Sequence, residues 1–128
     1  MTDRVKTILL VDDEALMLQM MRLYLGKKGY QLFEAENAAD AMTLFLEHQD
    51  VINLLLLDIR MPRKNGLDLY EEINRIRPDI PVIFMGGDVE RHQQDSRISG
   101  KNAKFLSKPF SPQTLVNKIH EVLTHSLP

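Results

Sequence analysis

The sequence predicts a doubly wound α/β domain: a five-stranded parallel sheet with helices on both faces. Three observations predict it. Short apolar runs alternate along the chain with longer segments of helical period. The run at residues 53–57 is continuously apolar apart from Asn53, as a strand covered on both faces must be. The connections are too long for hairpins, so right-handed crossovers join neighbouring strands.

The first strand is read at 7–11 (TILLV), and a helix follows over 13–28. Gly29 closes that helix, and Lys27 and Lys28 occupy its last turn, where the helix dipole favours positive charge. Its Met17, Met20 and Met21 are expected to fill core space with Tyr24 and Leu25. Leu16, Leu18 and Leu23 are left over, on a helix apolar almost all round. Residues 30–35 alternate apolar and polar, the pattern of a strand nearer the sheet edge. Asn37 caps a helix running to about His48. After the third strand at 53–57, Asn65-Gly66 turns the chain into a helix that Pro78 stops. The fourth strand, 81–85, leads into a polar helix over about 89–99 whose apolar anchors are chiefly Val89 and Ile98. A short fifth strand at 103–107 follows an approach from Gly100. Ser111-Pro112 starts the last helix, with Ser as N-cap and Pro at the first helical position. Leu115, Ile119, Val122 and Leu123 share one face of it.

Bulk properties narrow the function. A length of 128 residues suits one domain, read as 1–128, with a real hydrophobic core. A net charge of −2 gives no field to recruit nucleic acid or an anionic membrane. The absence of cysteine excludes disulfides, thiol nucleophiles and cysteine metal sites. No apolar stretch approaches the ~20 residues that span a bilayer, so no membrane insertion is expected. Met1-Thr-Asp-Arg4 runs straight into the first strand without a signal peptide, and a cytoplasmic location is expected. His120 and His125 are five apart on a helix, ~140° around it, and cannot share one metal ion. His48 and His92 read as surface residues.

The chemistry collects at the strand ends, where open α/β sheets bind their ligands. Asp12-Asp13 follows the first strand, Asp58 the third and Lys108 the fifth. Parallel strands carry all four groups to one edge. Carboxylates so close repel, and some stay protonated without a compensating charge. Mg²⁺, a hard cation that accepts a few carboxylates plus waters and phosphate oxygens, fits this cluster. Lys108 adds a mobile point charge able to pair with a phosphoryl oxygen. Each element alone is ordinary: Asp12-Asp13 as a turn and helix cap, Asp58 as a turn residue, Lys108-Pro109 as a strand exit. Their joint arrival at one edge makes a carboxylate of the cluster a candidate acceptor in phosphoryl transfer, a reaction run by positioning and charge neutralisation.

Val11-Asp12-Asp13-Glu14, Leu57-Asp58-Ile-Arg-Met-Pro62 with Asn65-Gly66, and Lys108-Pro109-Phe110 resemble, in order and spacing, the signatures of response-regulator receiver domains of two-component systems. The resemblance covers essentially the whole chain. It implies the flavodoxin-like receiver fold with strand order 2-1-3-4-5. It implies Asp58 as phospho-acceptor, and Mg²⁺ (with Mn²⁺ as the alternative ion) held by Asp13, Asp12, Asp58 and the Arg60 backbone carbonyl. Lys108 would contact the phosphoryl group, and the Lys108-Pro109 bond is often cis in such domains. The donor would be a phosphohistidine on a sensor histidine kinase or histidine phosphotransfer protein, or a small acyl phosphate. The partner that reads the output is unspecified. Receivers often dock a kinase near Leu18 on the first helix, and commonly bind partners on the face made by helix four, strand five and helix five.

One position departs from the pattern. Receivers place Thr or Ser at the end of strand four; here Gly86 stands there, followed by Gly87-Asp88. The aromatic switch position falls on Phe105, which has no hydroxyl. Phosphorylation is therefore expected to couple to the output face more loosely or by another route, with Gly86 or Gly87 amides supplying part of the lost hydrogen bonding. Two rival readings exist. A haloacid-dehalogenase-like enzyme also forms an aspartyl phosphate, but it resembles a pattern with a second Asp where this chain has Arg60. A receiver-fold interaction module that signals without phosphate fits Gly86, but not the intact Asp12, Asp13, Asp58 and Lys108.

Overall fold

The computed structural model describes residues 5–98 and 101–125. The run from Met1 into the first strand, the end of the fourth helix at 99, the approach from Gly100 and the His125 side chain lie outside what it describes. Five parallel strands, β1 (Thr7–Val11), β2 (Gln31–Ala35), β3 (Ile52–Asp58), β4 (Val82–Gly86) and β5 (Ala103–Ser107), form one sheet in the order β2-β1-β3-β4-β5. Among the described residues three α-helices cross between strands, α1 (Ala15–Lys27), α2 (Ala38–His48) and α3 (Gly66–Ile76), and a fourth, α4 (Pro112–His125), follows β5. The expected fold class and strand order are both observed.

Alternate strand residues feed two cores. Leu9, Val11, Leu55, Leu57, Val82 and Phe84 pack with α2 and α3. Ile8, Leu10, Leu54, Leu56, Ile83 and Met85 pack with α1 and α4. β1 and β3 sit at the sheet centre and are covered on both sides, which is why their sequences are runs rather than alternations. Asn53 is the polar interruption. The register shifts there by one residue, and Asn53 Oδ1 accepts the Thr7 amide at 2.8 Å, so a bulge makes use of the side chain.

The helix ends follow from their capping residues. Asn37 and Asn65 accept the Asp40 and Asp68 amides, and Ser111 accepts the Thr114 amide. At the end of α1, Gly29 adopts a φ of 88°, its amide bonds Gly26 O, and the Tyr30 amide bonds Leu25 O, a complete Schellman closure. The start of α1 comes later than expected, at Ala15, because Asp12 Oδ1 accepts the Glu14 amide at 2.9 Å and holds 12–14 in a turn.

Two expectations for α1 need correction. Leu18 is buried with Met21 and Leu25, spaced to share one helix face against the sheet, so it is a core residue and unavailable for docking. Tyr24 lies off that face and is exposed, as are Leu16 and Leu23. Met17 and Met20 pack at the core margin.

The helix expected over 89–99 is a single 3₁₀ turn, Val89–His92, followed by turns to Ile98. With Val89 and Ile98 as its only buried anchors, the segment has no apolar stripe to support an α-helix. Asp95 also competes locally, accepting the Arg97 amide at 2.8 Å. Arg97 then pairs with Asp95 at 2.8 Å and with Asp68 of α3 at 2.5 Å, tying the segment down by charge.

Candidate functional site

The strand ends converge as the sequence requires. Asp12 leaves β1 wholly buried, Asp58 ends β3 only 4% exposed, and Lys108 follows β5. Backbone bonds fix this edge: Ile59 N to Met85 O at 2.9 Å, Lys108 N to Gly86 O at 2.8 Å, and Gly66 N to Ile59 O at 2.9 Å. The Lys108-Pro109 bond is cis. Lys108 Nζ stands 2.8 Å from Asp12 Oδ2, 3.2 Å from Glu14 Oε1 and 3.5 Å from Asp58 Oδ2. Arg60 contributes its amide, which donates to Asp58 Oδ1 at 3.2 Å.

One ammonium cannot offset this much negative charge. Burial, then the neighbouring Asp12 carboxylate, push the Asp58 pKa up to about 7, against the opposing pull of Lys108 and the Arg60 amide. A hydrogen bond with the Asp13 side chain raises it further. At Lys108, burial acts to lower the pKa, but Asp12, Asp58 and Glu14 outweigh it and hold the ammonium above its ordinary value.

Carboxylate oxygens of Asp12, Glu14 and Asp58 all lie within 4.8 Å of one another. An all-oxygen donor set with excess negative charge suits a hard divalent cation such as Mg²⁺. Glu14 is the member of this set that the sequence does not mark as a ligand. It was visible as the residue after Asp12-Asp13, but nothing in the pattern showed that Glu14, just ahead of α1, reaches back to Lys108. Asp13 is exposed at the rim of the cluster, and its side chain is the smallest of the influences that raise the Asp58 pKa.

Gly86 and Gly87 do not require glycine. Neither adopts a positive φ, and the atoms nearest to a Cβ on Gly86 would be Val89 Cγ1 at 3.6 Å, Asp88 Oδ1 at 3.9 Å and Ile59 Cβ at 3.9 Å, all ordinary contacts. Gly86→Thr is therefore expected to fold normally and to gain about 0.5–1 kcal/mol, from reduced unfolded-state freedom and a hydroxyl placed near Asp88. Urea unfolding of the two proteins checks this; a loss of stability would show that the space is smaller than it looks. Phe105 is half-buried, its ring 5.7 Å from Phe84. Beyond Gly87, Asp88 Oδ2 accepts Arg91 at 3.3 Å, three residues on, and Arg60 at 2.7 Å, a contact with no spacing signal in the sequence.

A parallel doubly wound sheet with an acidic strand-end pocket and a lysine opposite it defines a phospho-acceptor signalling module. The chain belongs to the response regulator receiver domain family, whose model matches residues 8–120. Such domains act in two-component systems and are signalling phospho-acceptors rather than enzymes. The chain is 34% identical over 128 residues to the phosphate regulon transcriptional regulatory protein PhoB of Pseudomonas aeruginosa, an alignment covering 96% of this chain and 54% of that protein. It is 31% identical over 117 residues to response regulator SaeR of Staphylococcus aureus, covering 91% of this chain and 50% of that one. The chain thus spans about half the length of these relatives. Among solved structures, it resembles a response regulator receiver domain protein from Clostridium thermocellum, with a TM-score of 0.85 and 26% identity over 94% of this chain and 96% of that one. A CheY-like receiver from Methanospirillum hungatei gives 0.82 and 28%, covering 96% and 97%. No helix among the described residues is long and apolar enough to cross a membrane.

Proposed function

We propose that Asp58 accepts a phosphoryl group from a sensor histidine kinase or histidine phosphotransfer protein, and that this changes the binding of an output partner. The observation that carries the reading is the Asp58 carboxylate, buried at the sheet edge with Asp12 beside it and Lys108 Nζ 3.5 Å away. An Asp58 oxygen attacks phosphorus while the bond to the donor imidazole, or to the carboxylate of an acyl phosphate, breaks. The leaving group keeps the electron pair, and an aspartyl phosphate results. Lys108 turns from Asp12 and Asp58 to a phosphoryl oxygen, balancing the charge that arrives. Asp12, Asp13, Asp58 and the Arg60 carbonyl, with Glu14 close by, would hold Mg²⁺ or Mn²⁺. Bound there, such an ion would supply charge neutralisation for phosphoryl oxygens. The reading takes residues 1–128 as one such domain, acting in the cytoplasm, with no direct contact to nucleic acid.

Incubation with Mg²⁺ and acetyl phosphate is expected to add one phosphoryl mass, acid-stable and base-labile, that is lost in Asp58→Asn. An unmodified chain, or modification that survives the substitution, would overturn the proposal. A receiver-fold module switching without phosphate is the second reading, and Gly86 is the observation that favours it. Only that reading predicts partner binding unchanged by Asp58→Asn.

A further inference from the structure

The carboxylate of Asp88 is divided between two surroundings. Its Oδ2 accepts Arg60 Nη2 at 2.7 Å and Arg91 Nη1 at 3.3 Å. Its Oδ1 is buried without a hydrogen-bond partner, with His92 Nε2 at 3.9 Å, and faces the space that a side chain on residue 86 would fill. A buried acceptor without a donor is costly, so stability alone does not explain the arrangement. Two guanidinium groups share one carboxylate oxygen, which leaves positive charge to spare. Arg60 is also rooted at the phospho-acceptor, since its own amide donates to Asp58 Oδ1 at 3.2 Å. Its side chain is 71% exposed and unconfined on the solvent side.

We propose that Arg60 is a phosphoryl-positioning residue held in reserve by Asp88. When Asp58 carries a phosphoryl group, Arg60 exchanges the Asp88 carboxylate for it, and this contact replaces the one lost with the hydroxyl at position 86. The proposal rests on Asp58 being the phospho-acceptor. The direction of exchange follows from charge. A phosphoryl group carries about −1.5 to −2 and three acceptor oxygens, and guanidinium binds it through two parallel hydrogen bonds. Asp88 offers a single charge and one accessible oxygen. Arg91 remains on Asp88 after the exchange, so that half-buried carboxylate keeps a cation. Asp88 directly precedes the 3₁₀ turn Val89–His92, so the exchange alters what anchors that turn.

Beryllium fluoride, which adds to a carboxylate as a tetrahedral stand-in for the phosphoryl group, is the probe. Its affinity in Mg²⁺ is measured by titration calorimetry. Asp88→Asn frees Arg60 and is expected to tighten binding about tenfold, the size of an ordinary charge coupling. Arg60→Gln is expected to weaken it about tenfold, with Arg60→Lys in between because a point charge replaces the fork. The double variant Arg60→Gln/Asp88→Asn should match Arg60→Gln alone, since Asp88 acts only through Arg60. Tightening that persists in the double variant would mean that Asp88 merely repels the anion, and would overturn the exchange. So would an Asp88→Asn protein of unchanged affinity. If the unsubstituted protein binds no beryllium fluoride and takes no phosphoryl group from acetyl phosphate, the phospho-acceptor reading itself falls, and the exchange with it.

Discussion

Asp58→Asn is expected to stabilise the metal-free protein at pH 8 by about 2–4 kcal/mol and to leave its stability at pH 4 nearly unchanged. The Asp58 pKa stands near 7 in the folded chain against an ordinary 3.8, because burial and Asp12 both disfavour the charged form. Between those values the folded state binds more protons than the unfolded one, so stability falls as pH rises. The cost is absent below about pH 4 and fully present above about pH 7. Asparagine keeps the shape and lacks the charge, so its curve omits that fall. Urea unfolding in chelator from pH 4 to 8 measures the difference between the two proteins. Equal stability at pH 8 would show that Lys108 already neutralises the site. Added Mg²⁺ is expected to narrow the gap from the unsubstituted side, since the ion favours the carboxylate.

Gly66→Ala is expected to cost about 3 kcal/mol and to disturb the placement of Asp58 as well as the fold. A Cβ on Gly66 would lie 2.3 Å from the Asp58 carbonyl oxygen, 3.0 Å from its carbon and 3.1 Å from Ile59 Cα. These are backbone atoms of the strand that presents Asp58, and no rotamer change relieves the overlap. Either α3 moves off β3 or the end of β3 moves with Asp58. Thermal unfolding reads the first consequence, and the rate of phosphorylation by acetyl phosphate reads the second. Gly26→Ala is the control: its added Cβ meets nothing within 4 Å, and the helix it lies in favours alanine. A Gly66→Ala protein as stable as that control would contradict the close approach.

Much of this was legible in the sequence because the signals were local. Apolar runs marked the strands, and Asn37, Asn65, Gly29 and Ser111 marked helix ends through hydrogen bonds to residues within a few positions. Asp12, Asp58 and Lys108 were legible because parallel strands share an edge, a rule that requires no side-chain geometry. What escaped was set by three-dimensional neighbours. Leu18 and Tyr24 were assigned from a helix apolar on nearly every side, where composition gives no direction and the sheet decides which face is buried. The polar segment after β4 is expected as a helix, yet Asp95 and Arg97 satisfy backbone and charge in turns instead. The Arg60–Asp88 pair joins residues 28 apart across two loops and has no periodic trace.

Lys108 and Asp12 meet across 96 positions of chain, with two strands between them in the sheet. Their contact is among the most non-local in the molecule, so the loop entropy for it is spent only after the sheet has closed from β1 through β3 and β4 to β5. A partly synthesised or partly unfolded chain retains the Asp58 carboxyl but has no ammonium to balance a phosphoryl group there. On the proposed reading, competence for modification is thus a property of the completed topology rather than of the Asp58 strand alone.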